Sequence, residues 1–368
     1  MIQKERLLAT FLDYVQIDSE STHEKAMALR IAADLEAIGC QISFDDSLAA
    51  TGSDTGNLFC TLPATKEGEP VLFMAHMDTV VPGNGVKPVI RDGIIYSSGD
   101  TVLGGDDKSG IVAIVEAMRV ITEQNIPHPE ITAVFTVAEE VGLRGSLAMD
   151  YDKVTAKKAV VLDSSGNAGK IIVQAPGQCK IDAAVVGVRA HAGVAPEEGV
   201  SAIQVLAHAI AEMKLLRIDE ETTANIGSIH ADYATNIVPE KASMKAEARS
   251  RDDKKLSIQV EHMTDCLQRA CDRFGATLQC NVQRAYSAYA HSEDDAFVQE
   301  VMDACRRIGI EPQTAASGGG SDANHLNAHG IKALVLGTGM TKVHTTQEEL
   351  SIKNLEDTAE IALSLMSW

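Results

Sequence analysis

Four continuous apolar runs constrain this chain more than any other feature: "VLFMA" (71–75), "ITAVFTVA" (131–138), "KAVVL" (158–162) and "KALVLG" (332–337). A strand with one face in water alternates polar and apolar residues; these do not. They alternate instead with helical stretches such as "SGIVAIVEAMRVITEQ" (109–124). The pattern predicts an α/β fold, a largely parallel sheet flanked by helices and buried on both faces. At 368 residues and 45% hydrophobic, the chain is long enough for a substantial core and too long for one, so two domains are expected.

Between about 177 and 285 the rhythm changes. An alternating strand "KIDAAVVGV" leads to a helix near 199–214, two strands ("ANIGSIHA", "KASMKAEAR"), a long helix from about Asp252 to Phe274 and a last strand "ATLQCNVQR". This βαββαβ order predicts a two-layer sandwich inserted into the larger domain. The expected division is 1–176 for the first part of the main domain, 177–285 for the insert and 286–368 for the remainder. Near the start, "STHE" (Ser21 to Glu24) fits a capping box for the helix "EKAMALRIAADLEAIG", stopped by Gly39.

Charge and cysteine usage narrow the function. With 52 acidic against 32 basic residues and a formal charge of -20, the chain repels phosphate backbones and anionic headgroups, which argues against nucleic acid and membrane partners. No run reaches the roughly 18 apolar residues of a spanning helix. The opening "MIQKERLLATFLDYVQ" reads as an amphipathic helix and not as a signal peptide. Seven scattered cysteines without a C-x-x-C pair predict free thiols and a cytoplasmic protein.

In an open parallel sheet, ligands bind outside the carboxyl ends of the strands. The apolar runs end in His76 and Asp78, in Glu139 and Glu140, and in Asp163; His344 follows the last run, and Asp106 and Asp107 sit on a glycine-rich turn before a helix. Two imidazoles and several carboxylates without thiolates suit zinc, with cobalt or manganese as competitors. One shared carboxylate would allow two metals, the arrangement of two-metal hydrolytic sites. Within the Glu139-Glu140 doublet, one carboxylate can ligate while the other accepts a proton. Each feature alone has a plainer reading, a hydrogen-bonded structural histidine or a solvated acidic pair. Their coincidence at several strand ends favours a site.

The ordered set "HMDTV", "GGDDKSG", "AEEVGLRGS", "VLDSSG", "VRAHAG", "TNIVP", "SGGGSDANHL" and "VHTTQEEL" resembles the di-zinc aminoacylase/glutamate-carboxypeptidase metallopeptidase family, in its peptidase T-like, tripeptide aminopeptidase branch. The resemblance implies that His76 and Asp163 ligate one zinc, Glu140 and His344 the other, and that Asp106 bridges both. It implies that Asp78 orients His76 and that Glu139 is the general base acting on a di-zinc-bridged water. Relatives hold the peptide bond between the two acids in cis, so a cis Asp106–Asp107 bond is expected. The inserted sandwich resembles the family's lid, with His191 donating to the substrate carbonyl, Asn236 and Arg249 binding the substrate's polar ends, and a homodimer formed through it. Gly318 and Gly319 read either as backbone donors to a carboxylate or carbonyl, or as part of a tight turn.

The same histidines and acids serve three functions. The leading expectation is a metal-dependent exopeptidase acting on short peptides. A deacylase of N-acyl amino acids or a dipeptidase of the same clan uses the same groups, and a non-catalytic metal- or peptide-binding module would retain the fold. The intact ligand set and Glu139 argue against the last. His325 and His329 have zinc-binding i, i+4 spacing, but Leu326 stands where H-E-x-x-H needs its glutamate, so the pair reads as structural.

Overall fold

The computed structural model describes residues 1–367 and divides into two compact units: Met1–Val173 with His291–Ala316 and the chain from Ser321 onward, and Gln174–Ala290 with Ser317–Gly320. In the first unit the sheet runs in the order Gln41–Phe44, Leu58–Leu62, Ile131–Thr136, Val71–His76, Lys158–Ser164, Lys332–Gly337, Lys170–Ala175. The middle four strands are mutually parallel, with Phe73 opposite both Ala133 and Val160. The flanking pairings are antiparallel. The strands predicted from unbroken apolar runs are therefore the central ones, sealed on both faces.

Helix Gly105–Glu123 explains much of that sealing. From Ile111 to Met118 every residue is buried, as expected of a helix apolar around its whole circumference. It approaches the strand Lys158–Ser164 so closely that a Cβ on Gly110 would lie 2.2 Å from the Leu162 main-chain oxygen. The first helix, Lys4–Tyr14, is pinned to it by a fork: Arg6 Nε and Nη2 donate to the buried Glu116 carboxylate at 2.7 and 2.9 Å. Among the described residues, no helix is long and apolar enough to cross a membrane.

The expected capping box at Ser21–Glu24 does not form. The helix spans Lys25–Glu36, and Glu24 at its N-cap makes no side-chain cap bond. Both side chains find buried partners instead: the Ser21 hydroxyl donates to Asp78, and Glu24 accepts from the Ala138 main chain. The Asp54 carboxylate takes over the helix start, accepting from the Lys25 N–H at 2.9 Å.

The second unit is an antiparallel sheet, ordered Leu216–Arg217, Thr222–His230, Lys241–Ser250, Gly177–Val186, Thr277–Tyr286. Strand alternation sends Ile181, Ala183 and Val185 to a core shared with helices Ala202–Glu212 and Asp253–Phe274, through Val205, Leu206, Met263 and Leu267. Asp252 caps the long helix, accepting from the N–H groups of Lys254 and Lys255, and Gly275 at φ 72° ends it.

Candidate metal centre

Parallel strands deliver their last residues to one edge, and there the first unit gathers its histidines and acids. His76 ends Val71–His76, Asp163 lies in Lys158–Ser164, and Glu139 and Glu140 follow Ile131–Thr136. Asp106 opens helix Gly105–Glu123, and His344 stands between the short strands Met340–Thr341 and Glu349–Ser351. The Asp106–Asp107 peptide bond is cis, the geometry that the family resemblance implied.

Asp106 occupies the middle. Its Oδ1 lies 3.1 Å from His76 Nε2 and its Oδ2 lies 3.3 Å from His344 Nε2. His344 Nε2 is also 3.0 Å from Glu140 Oε2, and His76 Nε2 is 3.8 Å from Asp163 Oδ1. His76 Nδ1 faces the Asp78 main-chain oxygen at 2.9 Å. A proton on Nδ1 would satisfy that oxygen and leave Nε2 as a lone-pair donor. The Asp78 carboxylate is farther from the ring, at 3.5 Å, and is occupied by the main-chain N–H groups of Glu139 and Glu140 at 3.0 and 3.2 Å.

These donors suit a divalent cation. Ligand atoms of His76, Asp106 and Glu140 lie within 4.8 Å of one another, as do those of His76, Asp107 and Asp163. Asp107 is also braced by the N–H groups of His76 and Gly110. Glu140 Oε1 is buried without a hydrogen-bond partner. Burial, with repulsion from neighbouring acids and against the partial opposition of His76, holds the carboxyls of Asp107, Asp163 and Glu139 well above the usual range. The bonds from Asp106 and Glu140 push His344 up to about 10. A site with this excess of buried negative charge is chemically matched to cations.

Glu348 was not anticipated from the sequence. Its carboxylate accepts from the main-chain N–H groups of Leu103, Gly104 and Asp106 at 2.8, 2.9 and 2.9 Å. Burial pushes its carboxyl up to about 7. A glutamate four residues after His344 was the available signal, but its partners lie more than 240 residues away.

The other expected residues lie in the second unit, in two groups. His191 is exposed and pairs with Ile237 in the short ladder Ala190–His191 with Ile237–Val238; the Ala192 N–H donates to the Asn236 oxygen at 2.9 Å. This brings His191 and Asn236 together. Arg249 directs Nε and Nη2 to the Glu247 carboxylate at 2.9 and 3.1 Å. A Cβ on Gly319 would lie 4.0 Å from Arg249 Nη1, and the Gly319 N–H already donates to Ser317 Oγ at 3.0 Å. Thus one of the backbone donors envisaged for an anion is engaged within its own turn. Tyr286 packs against the neighbouring Gly320 so closely that a Cβ there would sit 2.4 Å from its ring.

Residues 72–367 match peptidase family M20/M25/M40. The chain is 44% identical to an aminopeptidase PepT from Bacillus cereus, covering 100% of this chain and 98% of that one, with a TM-score of 0.92. It is 40% identical to a tripeptidase from Staphylococcus aureus over the same shares, with a TM-score of 0.95. Peptidase T from Escherichia fergusonii is 27% identical over 98% of each chain. With the family match spanning most of its length, this chain belongs to peptidase family M20/M25/M40.

Proposed function

We propose that this protein is a two-metal exopeptidase of the peptidase T type, releasing the N-terminal residue from short peptides, tripeptides foremost. The observation that carries the reading is Asp106, whose two carboxylate oxygens turn to two different imidazoles at 3.1 and 3.3 Å. In this reading His76 and Asp163 would hold one zinc and Glu140 and His344 the second, with Asp106 available to both. Such cations, when bound, supply Lewis acidity and make water a better nucleophile at neutral pH.

The chain supplies orientation and proton transfer. Asp78 fixes the His76 ring through its main-chain oxygen and steadies both glutamates through its carboxylate. Glu139 takes the proton of the attacking water and returns one to the departing amine. Its neighbour Glu140 already faces His344, which supports giving ligation to Glu140 and proton transfer to Glu139. In the second unit, His191, Asn236 and Arg249 are assigned to substrate recognition, together with Gly318 and Gly319, the latter beside Arg249. The homodimer through this unit belongs to the same proposal. All seven cysteines are free, which suits action in a reducing compartment.

The test is hydrolysis of tripeptides, dipeptides and N-acetyl amino acids by protein loaded with zinc, cobalt or manganese, with metal counted by elemental analysis. Preferred cleavage of tripeptides with two metals bound is the expected result. Preference for N-acetyl amino acids would overturn the substrate assignment, and full activity of metal-free protein would overturn the metal assignment.

A further inference from the structure

We propose that Ser21 and Glu24 are positioning residues for Glu139, so that a turn near the start of the chain sets the aim of the proton-transferring carboxylate. The inference rests on the proposed role of Glu139.

The turn that needs aiming is unusual. Ala138 has φ 52°, a left-handed conformation that a β-carbon disfavours. Three consecutive N–H groups emerge from it into a buried region and must each find an acceptor. Glu24 Oε1 takes that of Ala138 at 3.0 Å, and the two oxygens of Asp78 take those of Glu139 and Glu140. Glu24 and Asp78 are both fully buried. Two carboxylates therefore hold three successive amides.

The Ser21–Glu24 turn reaches both carboxylates. Ser21 Oγ donates to Asp78 Oδ2 at 2.6 Å, and Glu24 Oε1 also accepts from the Thr22 N–H at 2.8 Å. The turn is anchored on either side: the Ser21 N–H donates to the Thr79 oxygen, the Thr79 N–H to the Ser19 oxygen, and the Asp54 N–H to the Thr22 oxygen. It has little freedom to follow the glutamates if they move, so it acts as a fixed reference. A cap for helix Lys25–Glu36 would not need a buried carboxylate directed at a distant strand end.

Removing the Glu24 acceptor frees the Ala138 amide and lets the following carboxylate swing. A displacement near 1 Å at a reacting group costs on the order of 10²-fold in rate. Glu24→Ala should lower kcat for a tripeptide about 10²-fold, with KM and the metal count unchanged; Glu24→Gln, which keeps Oε1, should recover most of the loss. Ser21→Ala should lower kcat about 10-fold through Asp78. Amide exchange on metal-free protein gives a readout independent of activity: Ala138 should exchange faster in Glu24→Ala than in the parent or in Glu24→Gln.

Combining variants separates aiming from simple loosening. In a Glu139→Gln background, Glu24→Ala should add nothing further to the loss, because the group it aims is gone. If Glu139→Gln itself retains turnover, the proposed function fails. If Glu139→Gln is inactive while folded Glu24→Ala keeps parental kcat, the positioning role fails. Should Glu24→Ala not fold, Ser21→Ala decides: parental kcat there, or a loss shown only in thermal stability, overturns the inference.

Discussion

Glu348 Oε1 accepts a hydrogen bond from the main-chain N–H of Asp106 at 2.9 Å, across 242 residues of sequence. The segment that carries His344 thus also grips the turn that carries Asp106. With Oε2 holding Leu103 and Gly104, this carboxylate sets the spacing between two proposed ligands. Glu348→Ala should weaken metal binding by about 10- to 100-fold, as loss of an outer partner does at other metal sites. Zinc titration against a competing chelator would measure it.

Glu139→Gln should reduce turnover by about 10² to 10⁴-fold, the range for loss of a general base, while both metals stay bound. Elemental analysis beside a peptidase assay distinguishes this from ligand loss. Metal leaving together with activity would reverse the roles given to the two glutamates.

His76→Ala and His344→Ala should each lower metal content, with different structural costs. His76 is only 2% exposed and holds the Asp78 main chain, whereas the His344 side chain is 54% exposed and stands in a connecting segment. The first should lower both metal content and thermal stability; the second should lose metal with the melting temperature of the metal-free protein little changed. Calorimetry with and without chelator tests both.

Gly110→Ala should damage fold and site together. The added Cβ would meet the Leu162 oxygen at 2.2 Å and Asp107 Oδ1 at 2.7 Å, so helix Gly105–Glu123 would have to withdraw from the strand bearing Asp163. Overpacking of this kind costs about 1–3 kcal/mol. Denaturant melts should show the loss, accompanied by reduced metal content.

Arg6→Ala probes stability away from the chemistry. It removes the fork onto Glu116, a carboxylate only 1% exposed. Hydrogen bonds to charged groups are worth about 1.5–3 kcal/mol. Unfolding should shift by an amount in that range, with kcat of the folded fraction preserved.

The sheet and the residues at its ends were legible because periodicity and strand direction are local properties. Unbroken apolar runs can be buried only as central strands, and parallel strands must end on the same side; His76, Glu139, Glu140 and Asp163 follow from these two facts. Asp106 and His344 were picked out by a glycine-rich turn before a helix and by closeness to the last apolar run, while the ligand role of each residue came only from the resemblance. Glu24 and Glu348 escaped because their partners are main-chain N–H groups, which every residue owns and no motif marks, and Ser21 because its partner, the Asp78 carboxylate, lies 57 residues away. The Ser21–Glu24 spacing even matched a different local device, which lost to a buried amide lacking any other acceptor. Arg249 and Glu247 were in principle readable as a pair, being two apart on one strand and so on one face.

The strand order places Lys332–Gly337 beside Lys158–Ser164, which has a consequence for the making of the protein. On a ribosome adding roughly 5–20 residues per second, the earlier strand emerges on the order of ten seconds before its neighbour exists. Until then its outer edge is unpaired, and His344 is still unmade when His76, Asp106, Glu140 and Asp163 are already available. The order of synthesis therefore offers a nascent chain one imidazole and a cluster of acids first, and the second imidazole only near the end.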